Sequence, residues 1–295
     1  MAGLGARGGD EHLSLLLPTL MAAERTILFV PARLLEKTEK AYREIAKHWR
    51  VPDLRVGFSG AAPKGTITLF NYEKVSLEKY ASCLDEMEPD LMVPDEAHCI
   101  AAAGTGRTKR FLRHIRRRRK EARKAGHPDP FSVVRFMPMS GTFWRKSIRE
   151  AAHLFEAALG EGSPLPRPGP EYPVLQQWSM ALDDGVQDRD RIGPGALREL
   201  CTPLEWARGL TGVREALQRR ILDTPGVIYS KDCPAQMSLS IQRRHVVVPD
   251  NVTTALTTLR ETWELPNGER LQYAPEKWLA QNQLGSGYYY VWDPL

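Results

Sequence analysis

Thr26–Val30 reads TILFV, an unbroken run of apolar and β-branched residues. A strand with one face in water alternates polar and apolar residues. A continuous run needs both faces covered, as in a parallel sheet packed between layers of helices. The pattern recurs: Leu54–Phe58, Thr66–Phe70, Leu91–Val93 and Val133–Met137 read as further short strands. Helical spacing fills the intervals at His12–Glu24, Leu34–Trp49, Ser76–Met87, Lys109–Lys124 and Ile148–Leu159, with Pro18 set to kink or restart the first. Strands alternating with amphipathic helices specify an α/β fold with a parallel sheet. Such sheets bind ligands beyond the carboxyl ends of their strands.

The character of the chain changes near Gly160. The stretch GEGSPLPRPGPEYP holds five prolines, which reads as a linker or an extended strap over 160–175. The expected organisation is therefore a sheet domain over 1–159, the linker, and an accessory α+β region over 176–295. In the last part Leu204–Leu222 and Thr253–Trp263 read as helices and Gln242–Val248 as a strand, giving a mainly helical or irregular C-terminal region. The tryptophans at 178, 206, 263, 278 and 292 are expected mostly in cores, with base stacking as the alternative.

Chemistry-bearing residues fall at the ends of the expected strands. Asp95-Glu96-Ala97-His98 follows the run ending at Pro94. A carboxylate there can hold Mg²⁺ while its neighbour polarises a water beside a γ-phosphate. Taken alone, the string also suits a helix start with acids favoured by the dipole. Met139-Ser140-Gly141-Thr142 again follows a strand and offers two hydroxyls able to bond the carboxylate and histidine of the first motif; by itself, Ser-Gly-Thr is also a simple turn. Upstream, Pro31-Ala32-Arg33 joins a strand to a helix start, where free N–H groups and Arg33 can meet a backbone phosphate. Ile67–Ser76, ITLFNYEKVS, passes from strand through Asn-Tyr-Glu into a helix.

The order strand-Pro-Ala-Arg, Asn-Tyr-Glu-Lys, Asp-Glu-Ala-His, Ser-Gly-Thr resembles the first RecA-like lobe of superfamily-two DEAD/DEAH-box helicases, phage-like in style, over roughly residues 9–155. The resemblance implies ATP and Mg²⁺ as cofactors, with DNA or RNA as partner alongside other replication or recombination proteins. It makes Asp95 the Mg²⁺ ligand and Glu96 the activator of water. His98, Ser140 and Thr142 would couple hydrolysis to movement, and Pro31, Ala32 and Arg33 would touch the nucleic-acid backbone.

Two departures qualify it. The family's Gly-Lys-Ser/Thr loop, whose lysine grips the phosphates, has Gly8-Gly9-Asp10-Glu11-His12 in its place. Gly104-Thr105-Gly106-Arg107-Thr108 imitates the end of such a loop, but it follows no strand and reads as a turn into the next helix. No Gln-x-x-Gly-Arg-x-x-Arg of a second lobe is found; Gln242-Arg243-Arg244 and Gln218-Arg219-Arg220 lack the spacing. The expectation is thus an ATP-dependent translocase or unwinding protein in an incomplete or ATPase-deficient form. The alternatives are a non-catalytic DNA-binding module, and an unrelated α/β protein in which Asp-Glu-Ala-His is accidental.

Between Arg107 and Lys124 stand eleven basic residues and one acid, although the whole chain carries only +5. The basicity is one patch. Arg107, Arg110, Arg113 and Arg117 are the expected contacts to a strand, with salt-sensitive affinity; a solvated helix face is the plainer reading. Four scattered cysteines with no metal-ligand spacing suggest reduced thiols in the cytoplasm and no structural metal. Leu13–Leu17, stopped at Pro18, is too short to span a membrane.

Overall fold

The computed structural model describes residues 2–3, 10–57, 60–229 and 248–286. The chain divides into two compact units, Met1–Gln236 and Met237–Leu295.

In the first unit the strands are β1 (Ala2–Gly3), β2 (Arg25–Val30), β3 (Asp53–Val56), β4 (Thr66–Asn71), β5 (Leu91–Pro94), β6 (Arg135–Phe136) and β7 (Ile228–Tyr229). Five of them form a parallel sheet in the order β3-β4-β2-β5-β6, and β1 pairs separately with β7. The helices are α1 (Asp10–Leu20), α2 (Leu35–Ile45), α3 (Tyr72–Ser76), α4 (Cys83–Met87), α5 (Gly106–Lys124), α6 (Arg149–Leu159), α7 (Tyr172–Leu182), α8 (Pro203–Ala207) and α9 (Gly209–Leu222). This is the expected α/β sheet flanked by helices.

The continuous apolar runs have the expected cause. Ile27 and Phe29 of β2 enter one core with Phe70, Met92, Phe111, Phe136 and Phe155. Leu28 and Val30 enter the opposite core with Leu15, Ile67, Leu69, Leu91 and Val93. Every residue of β4 is buried, whereas the edge strand β3 is largely exposed. Pro94, which cannot donate within a ladder, is tolerated as the last residue of β5. From β2 the chain runs outward to β3, returns through β4, then crosses β2 to β5. The order therefore reverses between β2 and β5, and the crevice above that reversal is where such sheets take ligands.

Several sequence boundaries need correction. The helix expected at Ser76–Met87 is broken, because Leu77 is extended at φ −76°, ψ 144° between α3 and a 3₁₀ turn at Glu78–Tyr80. The helix expected at Leu204–Leu222 divides at Gly209, whose φ is +61°. The Val133–Met137 strand shortens to two residues, though Met137 and Met139 still donate to Met92 and Pro94 at 2.9 and 2.8 Å. The proline-rich stretch is packed: Leu165 is core, and Leu175, Trp178, Leu197, Val213 and Leu217 beyond it share that same core. The compact unit runs through 160–175 to Gln236, past the boundary drawn at 159. Prolines fix the strap's backbone, while Leu165 and Leu175 supply its anchors.

The second unit contains α10 (Asp250–Thr262) and α11 (Ala274–Gly285), packed through Leu259, Leu265, Ala280 and Leu284. Trp263 ends α10 in a left-handed conformation, φ +64°. Trp278 is 67% exposed, against the expectation of a core position. Most of the strand expected at Gln242–Val248 lies outside the described residues, as do Gln242-Arg243-Arg244 and Trp292. Among the described residues no helix is long and apolar enough to cross a membrane, and no group of three or more His, Cys, Asp or Glu is placed to hold a metal.

Candidate functional site

Asp95 and Glu96 leave the tip of β5 in a tight turn. The Asp95 N–H donates to Phe29 O at 2.8 Å, continuing the ladder to β2 one residue past the strand. Glu96 then takes φ +53°, ψ +50°, the left-handed region that costs an L-residue of order 1 kcal/mol. The Asp95 carboxylate steadies this turn by accepting the Glu96 N–H at 2.9 Å. Ala97–Ile100 follow as a 3₁₀ turn, and His98 Nδ1 lies 3.1 Å from Glu96 Oε2 at the partly exposed rim.

Four sequence motifs meet here through direct bonds. The Ala97 N–H donates to Met139 O at 2.8 Å, joining the Asp-Glu-Ala-His turn to the Ser-Gly-Thr loop. The Tyr72 hydroxyl donates to Asp95 O at 2.6 Å. The Ala32 N–H donates to Glu73 Oε2 at 3.2 Å, joining the Pro-Ala-Arg turn to Asn-Tyr-Glu. Asn71 caps α3 by accepting the Lys74 N–H at 2.8 Å, which fixes Tyr72 and Glu73 in turn.

Tyr72 is fully buried, and burial raises its phenol well above the ordinary range, reinforced by the nearby Cys99, Asp95 and Glu96; it acts as a neutral donor. Further along the turn, Ile100 O accepts from Thr108 Oγ1 at 3.2 Å and lies 2.9 Å from His153 Nε2, so α5 and α6 both hold it. Burial lowers the His153 pKa, which matches a neutral ring donating from Nε2. The sequence alone does not single out Tyr72, Glu73, Thr108 or His153 as site residues. Asn-Tyr-Glu after a strand was the one available signal for the first two.

The hydroxyls are placed differently from expectation. Ser140 Oγ donates to Thr142 O at 2.8 Å and accepts the Thr142 N–H at 3.1 Å, so it closes its own loop. The Thr142 side chain is exposed. The two loops are joined by backbone, through Ala97 and Met139. At the Pro31 turn the Ala32 N–H is already held by Glu73, so that donor is not open to a phosphate; Arg33 is exposed. Burial raises the Cys99 thiol, opposed by Arg107 and Arg33 and reinforced by Glu96 and Glu73. Two cations and two acids therefore gather at this end of the sheet.

The basic helix is less free than its composition suggests. Thr105 caps it, accepting the Thr108 N–H at 3.4 Å, which makes Gly104–Thr108 the turn expected. Arg110 donates to the carbonyls of Val75 and Leu77, the latter at 2.6 Å. Arg113 reaches Ala81 O at 3.5 Å. Arg117 pairs with Asp85 at 2.7 Å and Glu121 at 3.0 Å. Arg116 and Arg118 lie 3.6 Å from Glu156 and Glu88. Arg119 is buried, donates to Ala157 O and Val134 O at 2.8 and 2.9 Å, and stacks 4.1 Å over Phe131. Of the four arginines expected to meet a strand, Arg110 and Arg117 fasten α5 to the 72–87 segment instead. Among the described residues Arg107 carries no such bond.

No protein-family model matches this sequence, and no curated protein does. Among solved structures, the Sulfolobus solfataricus SWI2/SNF2 ATPase core in complex with dsDNA aligns with a TM-score of 0.46 and 11% identity. The alignment covers 96% of this chain and 53% of that one, so this chain spans about half its length. A likeness of that degree carries nothing about activity.

Proposed function

We propose that the first unit is a helicase-type, RecA-like lobe that receives Mg²⁺–nucleotide at its strand tips and acts on nucleic acid, with hydrolysis curtailed. One observation carries the reading: the four motifs, spread over more than a hundred residues of sequence, are bonded to one another beyond β4, β2, β5 and β6, at the point where the strand order reverses. An accidental Asp-Glu-Ala-His has no reason to sit there.

The donor set suits the cofactor. Asp95 and Glu96 offer carboxylate oxygens at a partly open rim, as a largely hydrated Mg²⁺ prefers. Bound there, Mg²⁺ would neutralise the charge that develops on the phosphates. Asp95 would hold the ion, and Glu96, tethered to His98, would orient a water. Arg33 and Arg107 supply positive charge at the same end of the sheet for a nucleic-acid backbone. Asp10 and Glu11 stand where the family keeps its lysine and hydroxyl, and their charge opposes a triphosphate. This is the reason to expect binding with little turnover.

The test is ATP hydrolysis by the full chain, with and without single-stranded and duplex DNA, beside DNA affinity at several salt concentrations. The reading expects salt-sensitive DNA binding and no DNA-stimulated turnover above that of Glu96→Gln. DNA-stimulated turnover that Glu96→Gln abolishes would make the chain a working motor. Absence of both DNA and nucleotide binding would remove the helicase reading.

A further inference from the structure

The loop that follows Ser140 forms one wall of a cavity of about 720 Å³, faced by the end of α7 and by α9. That is the size of a small-molecule site. Phe143 and Trp144 are half-buried on its wall, and Phe143 is held by Phe155 at a ring separation of 5.7 Å. Trp144 has no ring partner among the described residues.

Arg145 and Lys146 follow directly. Their backbone N–H groups are pinned by Glu150 Oε2 at 2.9 and 3.4 Å. Both side chains are exposed and, among the described residues, neither makes a hydrogen bond or ion pair. Fixed backbone with free cationic heads contrasts with α5, where most arginines are engaged. On the opposite wall Asp184 pairs with Arg214, while Asp183 keeps its charge and accepts the Ile148 N–H at 3.1 Å. Among the described residues the lining thus carries three cations, Arg145, Lys146 and Arg214, against two acids, Asp183 and Asp184, beside a half-buried indole that packs on the core. Gln218, with both a donor and an acceptor, lines the same space.

We propose that this cavity binds a mononucleotide, its base against Trp144 and its phosphates on Arg145 and Lys146. The proposal rests on the helicase-type reading and deepens it. The cations that grip the phosphates come from the segment after β6, in place of the lysine that the Gly8–His12 stretch lacks. A planar base matches an indole with no aromatic partner among the described residues, and a phosphate matches two adjacent exposed cations. A walled cavity of this volume favours one nucleotide over a continuous strand.

The experiment is calorimetric titration of the full chain with ATP, in EDTA and in Mg²⁺, and with a short oligothymidylate. Wild type is compared with Arg145→Glu/Lys146→Glu and with Trp144→Leu, folding being checked by thermal melts. Both cations are exposed, so the double variant should fold normally. Saturable ATP binding in EDTA is expected, weakened about tenfold or more by the double charge reversal and roughly fivefold or more by Trp144→Leu. ATP binding that the double variant leaves intact overturns the cavity, as does titration by the oligonucleotide alone. An affinity that needs Asp95 and Mg²⁺ but ignores Arg145 and Lys146 overturns the cavity and leaves the strand-tip reading standing. An affinity that needs Arg145 and Lys146 yet gains nothing from Mg²⁺ does the reverse.

Discussion

The strand tips and the basic helix carry the two most conspicuous patterns in the sequence, and the fold treats them in opposite ways. At the tips, four short and individually weak motifs are gathered into one bonded cluster, from Glu73 and Ala32 through Tyr72 and Asp95 to Ala97 and Met139. On α5, a dense run of charge is largely engaged in holding the helix down, through Arg110 to backbone carbonyls, Arg117 to Asp85 and Arg119 to Val134 and Ala157. Charge density in a sequence does not measure charge available to a ligand, because helix geometry leaves some side chains facing neighbouring elements. Order along the chain is better preserved, since a parallel sheet sends successive strand ends to one edge.

The largest expected effect separates fastening arginines from free ones. Arg119→Ala leaves two buried carbonyls without their donor and should cost about 3 kcal/mol in urea unfolding, whereas Arg123→Ala, on the exposed face, should stay within about 0.5 kcal/mol. Equal costs would erase the contrast. At the strand tips, Tyr72→Phe keeps the ring but removes the 2.6 Å bond to Asp95 O. Stability should fall by about 1 kcal/mol, and any Mg²⁺-dependent gain in nucleotide affinity should shrink with it. A stability loss with that gain unchanged would make Tyr72 merely structural.

A pH titration sharpens the helix side. His114, buried and 2.7 Å from Asp85, has its pKa lowered, burial outweighing the pull of the carboxylate. Burial works to raise Asp85, but hydrogen bonds from His114 and Arg117 prevail and lower it. Both folded pKa values lie below the unfolded ones, so both contributions are present at neutral pH and are lost on acidification. The histidine acts first, as pH falls below about 6.5, and the aspartate follows below about 4. Stability measured from pH 7.5 to 5 should decline, and His114→Gln should flatten that slope; an unchanged slope contradicts the assignment. The smallest effect concerns DNA. Arg107→Ala should lower the salt dependence of binding by about one phosphate contact, while Arg117→Ala, aimed at an internal pair, should leave it unchanged.

Much of the sheet was legible because burial on both faces writes itself as unbroken apolar runs, as in β2 and β4. The turn residues at strand ends were legible for the same reason. The interruptions were less so. Leu77 and Gly209 break helices whose spacing continues through them, and neither a leucine nor an isolated glycine announces a break. The strap at 160–175 reads as a linker because prolines dominate its composition; its packing depends on Leu165 finding a core made by distant helices. The bonds made by Tyr72, Thr108 and His153 depend on which elements the topology places side by side, which no local pattern states. The strand-end position of Ser140 points its hydroxyl to a neighbouring motif, but it satisfies its own loop first, as serines in tight turns do.

In the proposed function, the acids beyond β5 meet a metal-bound nucleotide. The most direct check is ATP affinity of the full chain in Mg²⁺ against EDTA, repeated with Asp95→Ala. Tighter binding in Mg²⁺ that disappears in the variant is the predicted result; affinity indifferent to Mg²⁺, or a gain that survives loss of Asp95, would contradict it.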